Sequence, residues 1–190
     1  MKSKRTLLIL TATAALSALA IADHHKKDEA KAAETEFLST TIDLGCVVSD
    51  IEKSVKFYTE AVGFTELKGF NVPAGFATDA GLTDNKELDI RVLVLGEGEG
   101  ATKLKLMQVK GGGNKKPDHA YVDSTLGLSY ITIFVKSTDE ALARAAKSGV
   151  KPIAKGPATL PATLNPEFSL TVLRDPDGNL VELVGPKPTK

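Results

Sequence analysis

Hydrophobic and polar residues alternate most clearly near the end of the chain. An apolar run over 168–173 is followed by the turn residues Asp175–Gly178, and a second apolar run covers 180–184. Proline presets φ for a tight turn and Asp-Gly tolerates positive φ, so the pattern predicts a β-hairpin. Period-two geometry places Glu182 on the same face as two apolar neighbours. A carboxylate in that position needs a partner, because burying an unpaired charge is costly.

The first half of the folded region predicts the order β-α-β-β-β over residues 39–109. The capping-box pattern Ser49–Glu52 precedes apolar residues at helical spacing, and Gly63 follows as a left-handed stop. The strands are expected at 39–48, 64–68, 88–95 and 103–109, with the helix over 51–62.

The same order is predicted again after a linker, 110–127, that begins with a stretch rich in Gly and Lys. The second module, 128–185, is expected to hold strands at 128–135, 150–155, 167–174 and 180–184, with a helix over 141–147 behind the capping box Ser137–Glu140. Residues 186–190 form a tail. Neither module is expected to bury both faces of its sheet alone, so the two should pack or pair edge to edge.

The beginning of the chain is typical of a signal peptide over 1–22. Three basic residues precede an apolar run that ends in small residues, and a charged stretch follows at once. We expect cleavage near Ala22, a polar leader over 23–38, an exported protein in the periplasm or outside the cell, and no stable membrane insertion after cleavage. The new terminus, Asp23-His24-His25, has a spacing that can chelate Cu(II) or Ni(II), although a polar spacer is the plainer interpretation.

Charge and cysteine content narrow the classes of function. Loss of the three basic residues in 1–22 would leave 21 basic and 24 acidic residues, a net charge of −3. No basic stripe with interleaved aromatic residues is present, which argues against nucleic-acid binding. The single cysteine, Cys46, cannot form an internal disulfide, and its place in an apolar strand favours a buried, inert thiol.

Two stretches carry a family resemblance: the end of the first strand with the helix that follows it, over 48–64, and the closing Asp175–Leu183. Together they resemble the vicinal oxygen chelate superfamily, which includes glyoxalase I, extradiol dioxygenases, methylmalonyl-CoA epimerase and bleomycin-resistance proteins. The resemblance covers about residues 39–185. It implies an α+β fold of paired βαβββ modules, whose mixed sheets curl into a cup with the helices outside. Ligands or a divalent metal are held on the inner face in this superfamily.

The resemblance also implies four strand positions for the site. In this chain they carry Asp43, Lys105, Tyr130 and Glu182. A protonated lysine has no lone pair for a metal, and a neutral phenol is a poor ligand. His119, in a loop, would be a ligand only if that loop entered the cup. We therefore expect no metal ligands and no cofactor, although the resemblance leaves a divalent metal open.

A sharper hypothesis is that the Lys105 ammonium replaces the metal. It would neutralise Glu182 and Asp43, and Tyr130 would donate to a small polar or aromatic ligand. Glu182 and Tyr130 are then the candidates for acid–base catalysis. A salt bridge with a purely structural role is the alternative. Apolar side chains in the loops 69–86 and 156–166 would border the mouth of the cup: Phe70, Phe76, Leu160 and Leu164.

Three classes of function remain open from the sequence. The first is an exported protein that binds a small molecule without metal. The second is a metal-dependent lyase, isomerase or dioxygenase of the same superfamily, so enzymatic activity is undecided. The third is a structural module, and a homodimer is compatible with all three. Glyoxalase activity is disfavoured because the ligand set is incomplete and its thiol cosubstrate belongs mainly to the cytosol.

Overall fold

The computed structural model describes residues 38–112 and 115–188, and residues from Ser39 onward form one compact unit. The predicted signal peptide, the leader up to residue 37 and the Asp23-His24-His25 terminus lie outside the described residues. Among the residues described, no helix is long and apolar enough to cross a membrane.

Module one has the predicted order of elements, with one added helix. Its strands are β1 (Leu44–Val47), β2 (Thr65–Val72), β3 (Leu88–Val94) and β4 (Lys103–Met107). Helix α1 (Ile51–Lys56) continues in wider π-helical turns over Phe57–Val62, and α2 (Ala74–Asp79) lies within the segment predicted as a loop. β1 is shorter than predicted and β2 is longer.

The start of α1 differs from the predicted capping box. Asp50 is the N-cap, and its Oδ1 accepts a hydrogen bond of 3.1 Å from the Lys53 amide. The Ser49 amide instead donates to Asp177 in the terminal hairpin, at 2.9 Å. Asp is as good an N-cap as Ser, so the helix keeps its cap while Ser49 serves a distant contact. The stop at Gly63 is confirmed, with φ of 100°.

Module two contains β5 (Tyr130–Phe134), α3 (Thr138–Lys147), β6 (Ala158–Thr159), β7 (Phe168–Arg174) and β8 (Leu180–Pro186). The terminal hairpin and the Ser137 cap are confirmed, since Ser137 accepts from the Glu140 amide at 3.2 Å. The predicted strand over 150–155 is wrong, and the short β6 pairs with β7 instead. Pro152 lacks an amide donor, which disfavours a regular strand there.

The eight strands form two four-stranded mixed sheets, in the orders β1-β4-β3-β2 and β5-β8-β7-β6. Each sheet joins its first and last strands in parallel, and its other pairs are antiparallel. β1 and β5 are therefore edge strands at equivalent places in the two modules. The fold is α+β, with paired βαβββ modules in a curled, cup-like sheet and helices outside.

The main core lies between the helices and the two sheets. It contains side chains from both modules, among them Leu93 and Leu106 from one sheet and Leu173, Val181 and Leu183 from the other. A smaller cluster around Ile90 and Val92 covers part of the opposite face of module one. The shared core makes the two modules one hydrophobic unit, as the incomplete burial of each module predicts.

Candidate functional site

The turn of the terminal hairpin binds module one through Asp175. This side chain is only 5% exposed. Its Oδ2 accepts a hydrogen bond of 3.0 Å from the buried Tyr58 hydroxyl, and its Oδ1 accepts from the Asp177 and Asn179 amides at 2.9 and 2.8 Å. One carboxylate thus shapes the turn and joins the modules. Burial and the nearby Asp175 charge raise the pKa of Tyr58, so the hydroxyl remains a donor.

Asp177 makes a second contact between the modules. Its Oδ2 accepts from the Ser49 amide at 2.9 Å, and its Oδ1 lies 3.0 Å from Nζ of Lys116. Burial alone would raise the pKa of Asp177, but the Ser49 hydrogen bond and the Lys116 ammonium outweigh it and hold the pKa below its ordinary value.

A further contact joins the helices of the two modules. Arg144 of α3 donates to the carbonyl oxygens of Ala61 and Val62, at 3.2 and 2.7 Å. These carbonyls end the helix of module one, where a cation also complements the helix dipole. With the two aspartates, Arg144 joins module two to module one.

A cavity of about 250 Å³ lies between those edge strands. Its apolar wall comes from both modules: Leu44, Leu104, Leu128, Ile131 and Leu180. Its polar lining also comes from both: Asp43, Cys46, Tyr58, Ser129, Tyr130 and Asn179. Apolar walls with a few convergent polar groups are typical of small-molecule sites.

The strand register shows how the four predicted site residues correspond. Lys105 of β4 stands opposite Gly45, and Glu182 of β8 stands opposite Thr132. Asp43 precedes Gly45 by two residues, as Tyr130 precedes Thr132. The four residues therefore occupy equivalent places in the two modules.

Lys105 is paired with Asp43, at 2.8 Å between Nζ and Oδ2, and each side chain is about one-third exposed. The Lys105 ammonium holds the pKa of Asp43 below its ordinary value, and Lys103 acts in the same direction. The predicted contact between Lys105 and Glu182 is wrong. Glu182 instead accepts a hydrogen bond of 2.7 Å from the Thr132 hydroxyl. Lys105 and Glu182 belong to different sheets, and no ion pair joins the two among the described residues.

The cavity brings together only part of the predicted set. Asp43 and Tyr130 line it, Lys105 reaches it through Asp43, and Glu182 does not line it. Lys105 Nζ also lies 6.0 Å from the centre of the Phe70 ring, so that aromatic residue is near the ion pair. The other expected rim residues, Phe76, Leu160 and Leu164, do not line this cavity, whereas Leu128 at the start of module two does.

Cys46 also lines the cavity and is less deeply buried than predicted. Burial, together with the carboxylates of Asp175 and Asp177, raises the pKa of Cys46 to about 11. The thiol is therefore protonated at neutral pH, which makes it a poor nucleophile and a poor metal ligand.

The four residues do not fit the divalent metal found in many members of the superfamily. Lys105 offers no lone pair and occupies the Asp43 carboxylate, and the Tyr130 phenol is a weak donor. Over 38–112 and 115–188, no three His, Cys, Asp or Glu side chains are grouped to hold a metal ion, and this includes His119. The ammonium and carboxylate instead make a polar, partly exposed pair beside the cavity.

Comparison with known proteins identifies the superfamily. The family model of the Glyoxalase/Bleomycin resistance protein/Dioxygenase superfamily matches residues 42–183. Since this match covers most of the chain, the protein belongs to that superfamily. No curated protein matches the chain.

Solved structures show the same fold at low sequence identity. A glyoxalase family protein from Bacillus cereus is 19% identical, with a TM-score of 0.63, over 81% of this chain and 97% of the other. A glyoxylase/bleomycin resistance protein/dioxygenase domain from Frankia sp. EAN1pec is 22% identical, with a TM-score of 0.53, over 81% and 96%. A glyoxalase family protein from Enterococcus faecalis is 17% identical, with a TM-score of 0.50, over 76% and 94%. These similarities concern the fold alone.

Several residues of the site could not be found from the sequence pattern. Thr132 becomes the partner of Glu182 only once the register of β5 and β8 is known. Leu128, which lies just before β5, and Asn179, which ends the hairpin turn, both line the cavity next to the edge strands. Cys46 was expected to be a buried, inert thiol in an apolar strand, and the sequence pattern gives no signal that it lines a cavity.

The pKa of Asp177 gives a testable pH dependence. Because the pKa is lower in the folded state, the carboxylate stabilises the fold above its unfolded pKa, ordinarily 3.8, and this contribution is lost as pH falls through the folded pKa. We expect Asp177→Asn to lower the free energy of unfolding by about 1 kcal/mol at pH 7. The difference from wild type should shrink below pH 3.8. Urea denaturation at pH 7, 5 and 3 measures it, with the exposed Asp123→Asn as control. If Asp177→Asn lowers the free energy of unfolding by the same amount at all three pH values, the lowered pKa of Asp177 is contradicted.

Proposed function

We propose that this member of the superfamily is an exported protein that binds a small polar or aromatic molecule in the cavity between β1 and β5, without a divalent metal. The observation that carries the proposal is the cavity itself, which has an apolar wall from both modules and the Asp43 carboxylate and Tyr130 phenol at its lining. The half-exposed Tyr130 ring offers a stacking surface and its hydroxyl can donate or accept a hydrogen bond.

The ion pair of Asp43 and Lys105 supports binding without metal. The Lys105 ammonium lies 2.8 Å from the Asp43 carboxylate and neutralises the negative charge that a divalent cation would otherwise neutralise. Because both side chains remain partly exposed, they can still bond to a polar group of a ligand. The nearby Phe70 ring adds an apolar contact beside the charged pair.

The binding proposal is tested by a thermal-shift screen of small aromatic and polar compounds, run with EDTA and with added divalent metals. A ligand at 100 times its Kd should stabilise the protein by roughly 2.7 kcal/mol, which corresponds to about 5–10 °C in Tm for a domain of this size. Asp43→Asn and Lys105→Met should reduce the rise in Tm that a stabilising compound causes. Lys110→Met, which lies outside the cavity, should leave that rise unchanged.

Three outcomes contradict this proposal. The first is a purified protein that carries a tightly bound divalent metal in stoichiometric amount. The second is a ligand-induced shift in Tm that appears only when metal is added, and the third is a screen in which no compound stabilises the wild type. If a folded Lys105→Met variant shows the same ligand-induced shift in Tm as the wild type, the ion pair is not part of the binding site.

Export is proposed from the pattern of residues 1–22. The protein recovered from the cell that expresses it should lie outside the cytoplasm and begin at or near Asp23, by N-terminal sequencing. Ala20→Arg, which replaces a small residue before the expected cut, should leave the precursor uncleaved. An intact Met1 on a cytoplasmic wild-type protein would contradict export.

A further inference from the structure

The backbone of β1 presents hydrogen-bonding groups to the cavity. In the part of the chain that the structure describes, β1 pairs with β4 and with no other strand. The Val48 amide donates to Met107 at 2.9 Å, so the main-chain groups of Val48 point toward β4. Since these groups alternate in direction along a strand, those of Cys46 also point toward β4 and those of Gly45 point the other way, toward β5.

The same reasoning applies to β5, which pairs with β8 alone among the described strands. The Val135 amide donates to Val184 at 2.8 Å, so the main-chain groups of Val135, and of Ile131 four residues earlier, point toward β8. Those of Tyr130 point toward β1. Gly45 and Tyr130 both line the cavity. Each therefore offers an N–H and a C=O that no neighbouring strand uses.

We propose that the ligand of this cavity is an extended amide compound, such as a short peptide, which binds as an additional strand between Gly45 of β1 and Tyr130 of β5. This inference rests on the proposed function, because it names the class of molecule that the same cavity takes. An amide carries one donor and one acceptor on opposite sides, and so it matches strand edges that each present both.

The surroundings of the two edges fit such a molecule. Gly45 has no side chain to obstruct approach from the cup side, and it is exposed. Apolar residues of the cavity wall, such as Leu128 and Leu180, can receive apolar side chains of the ligand. The Asp43 carboxylate, two residues from Gly45, can accept a further hydrogen bond from an amide or amine of the ligand.

The test uses the blocked dipeptide acetyl-Ala-Val-N-methylamide and its analogue with every amide nitrogen methylated. Each is titrated into the 15N-labelled protein and followed by NMR. With the first peptide, the amide signals of Gly45 and Tyr130 should shift more than those of Cys46 and Ile131, whose amides already bond to β4 and β8. The methylated analogue, which lacks the donors, should bind at least tenfold more weakly, as expected for loss of one or more hydrogen bonds.

A matched pair of variants tests the protein side. Gly45→Pro removes the amide donor that points into the cavity, and a proline is tolerated in an edge strand where that donor has no ladder partner. It should weaken peptide binding about fivefold or more. Gly45→Ala keeps the donor, and its new Cβ would meet only the end of the Met107 side chain at 3.6 Å, so it should weaken peptide binding less than Gly45→Pro does. If Gly45→Pro does not fold, the methylated peptide decides the question.

The proposal is overturned if both peptides bind equally, if neither binds, or if the shifts avoid Gly45 and Tyr130. When the peptides fail but compounds of the thermal-shift screen bind in a manner that depends on Asp43, the amide proposal is wrong and the proposed function stands. When neither the peptides nor the screened compounds bind, both are wrong.

Discussion

The buried carboxylate of Asp175 is the contact on which the geometry of the site depends. It shapes the hairpin turn from within and accepts the Tyr58 hydroxyl of the other module. A buried carboxylate is costly unless its oxygens are satisfied, and here the turn amides and the phenol satisfy them together. Turn formation and docking of module one are therefore parts of one hydrogen-bond network.

The position of the edge strands follows from this network. Asp177 binds the start of α1, Arg144 binds its end, and the shared core fills the space between helices and sheets. β1 and β5 thus lie on either side of a cavity instead of pairing with each other. The unpaired edges, the Asp43–Lys105 pair and the Tyr130 ring then become available to a ligand.

Much of the fold could be predicted from the sequence because its signals are local. The turn residues Asp175–Gly178 and the stop at Gly63 depend on backbone preferences that the residues themselves carry. The duplicated order of elements follows from periodicity. The strand expected at 150–155 is not formed, because Pro152 lacks the amide donor that a regular strand needs at that position.

The site was less predictable because its contacts join distant parts of the chain. Equivalent positions in the two modules could be matched, but the partner of each side chain could not. Lys105 pairs with Asp43, which directly precedes the adjacent strand β1, whereas Glu182 accepts a hydrogen bond from Thr132 on its own neighbouring strand β5. Ser49, which was expected to cap the helix, instead donates its amide hydrogen to Asp177, a residue 128 positions further along the chain.

The contact between Tyr58 and Asp175 is tested most directly by a double-mutant cycle in urea denaturation with Tyr58→Phe, Asp175→Ala and the double variant. The cycle cancels the loss of turn hydrogen bonds, which Asp175→Ala causes with or without the hydroxyl. We predict a coupling free energy of about 1–3 kcal/mol, and none when Tyr58 is replaced in the cycle by the exposed Tyr121. Additive effects of Tyr58→Phe and Asp175→Ala would contradict the proposal that this carboxylate holds the two modules together.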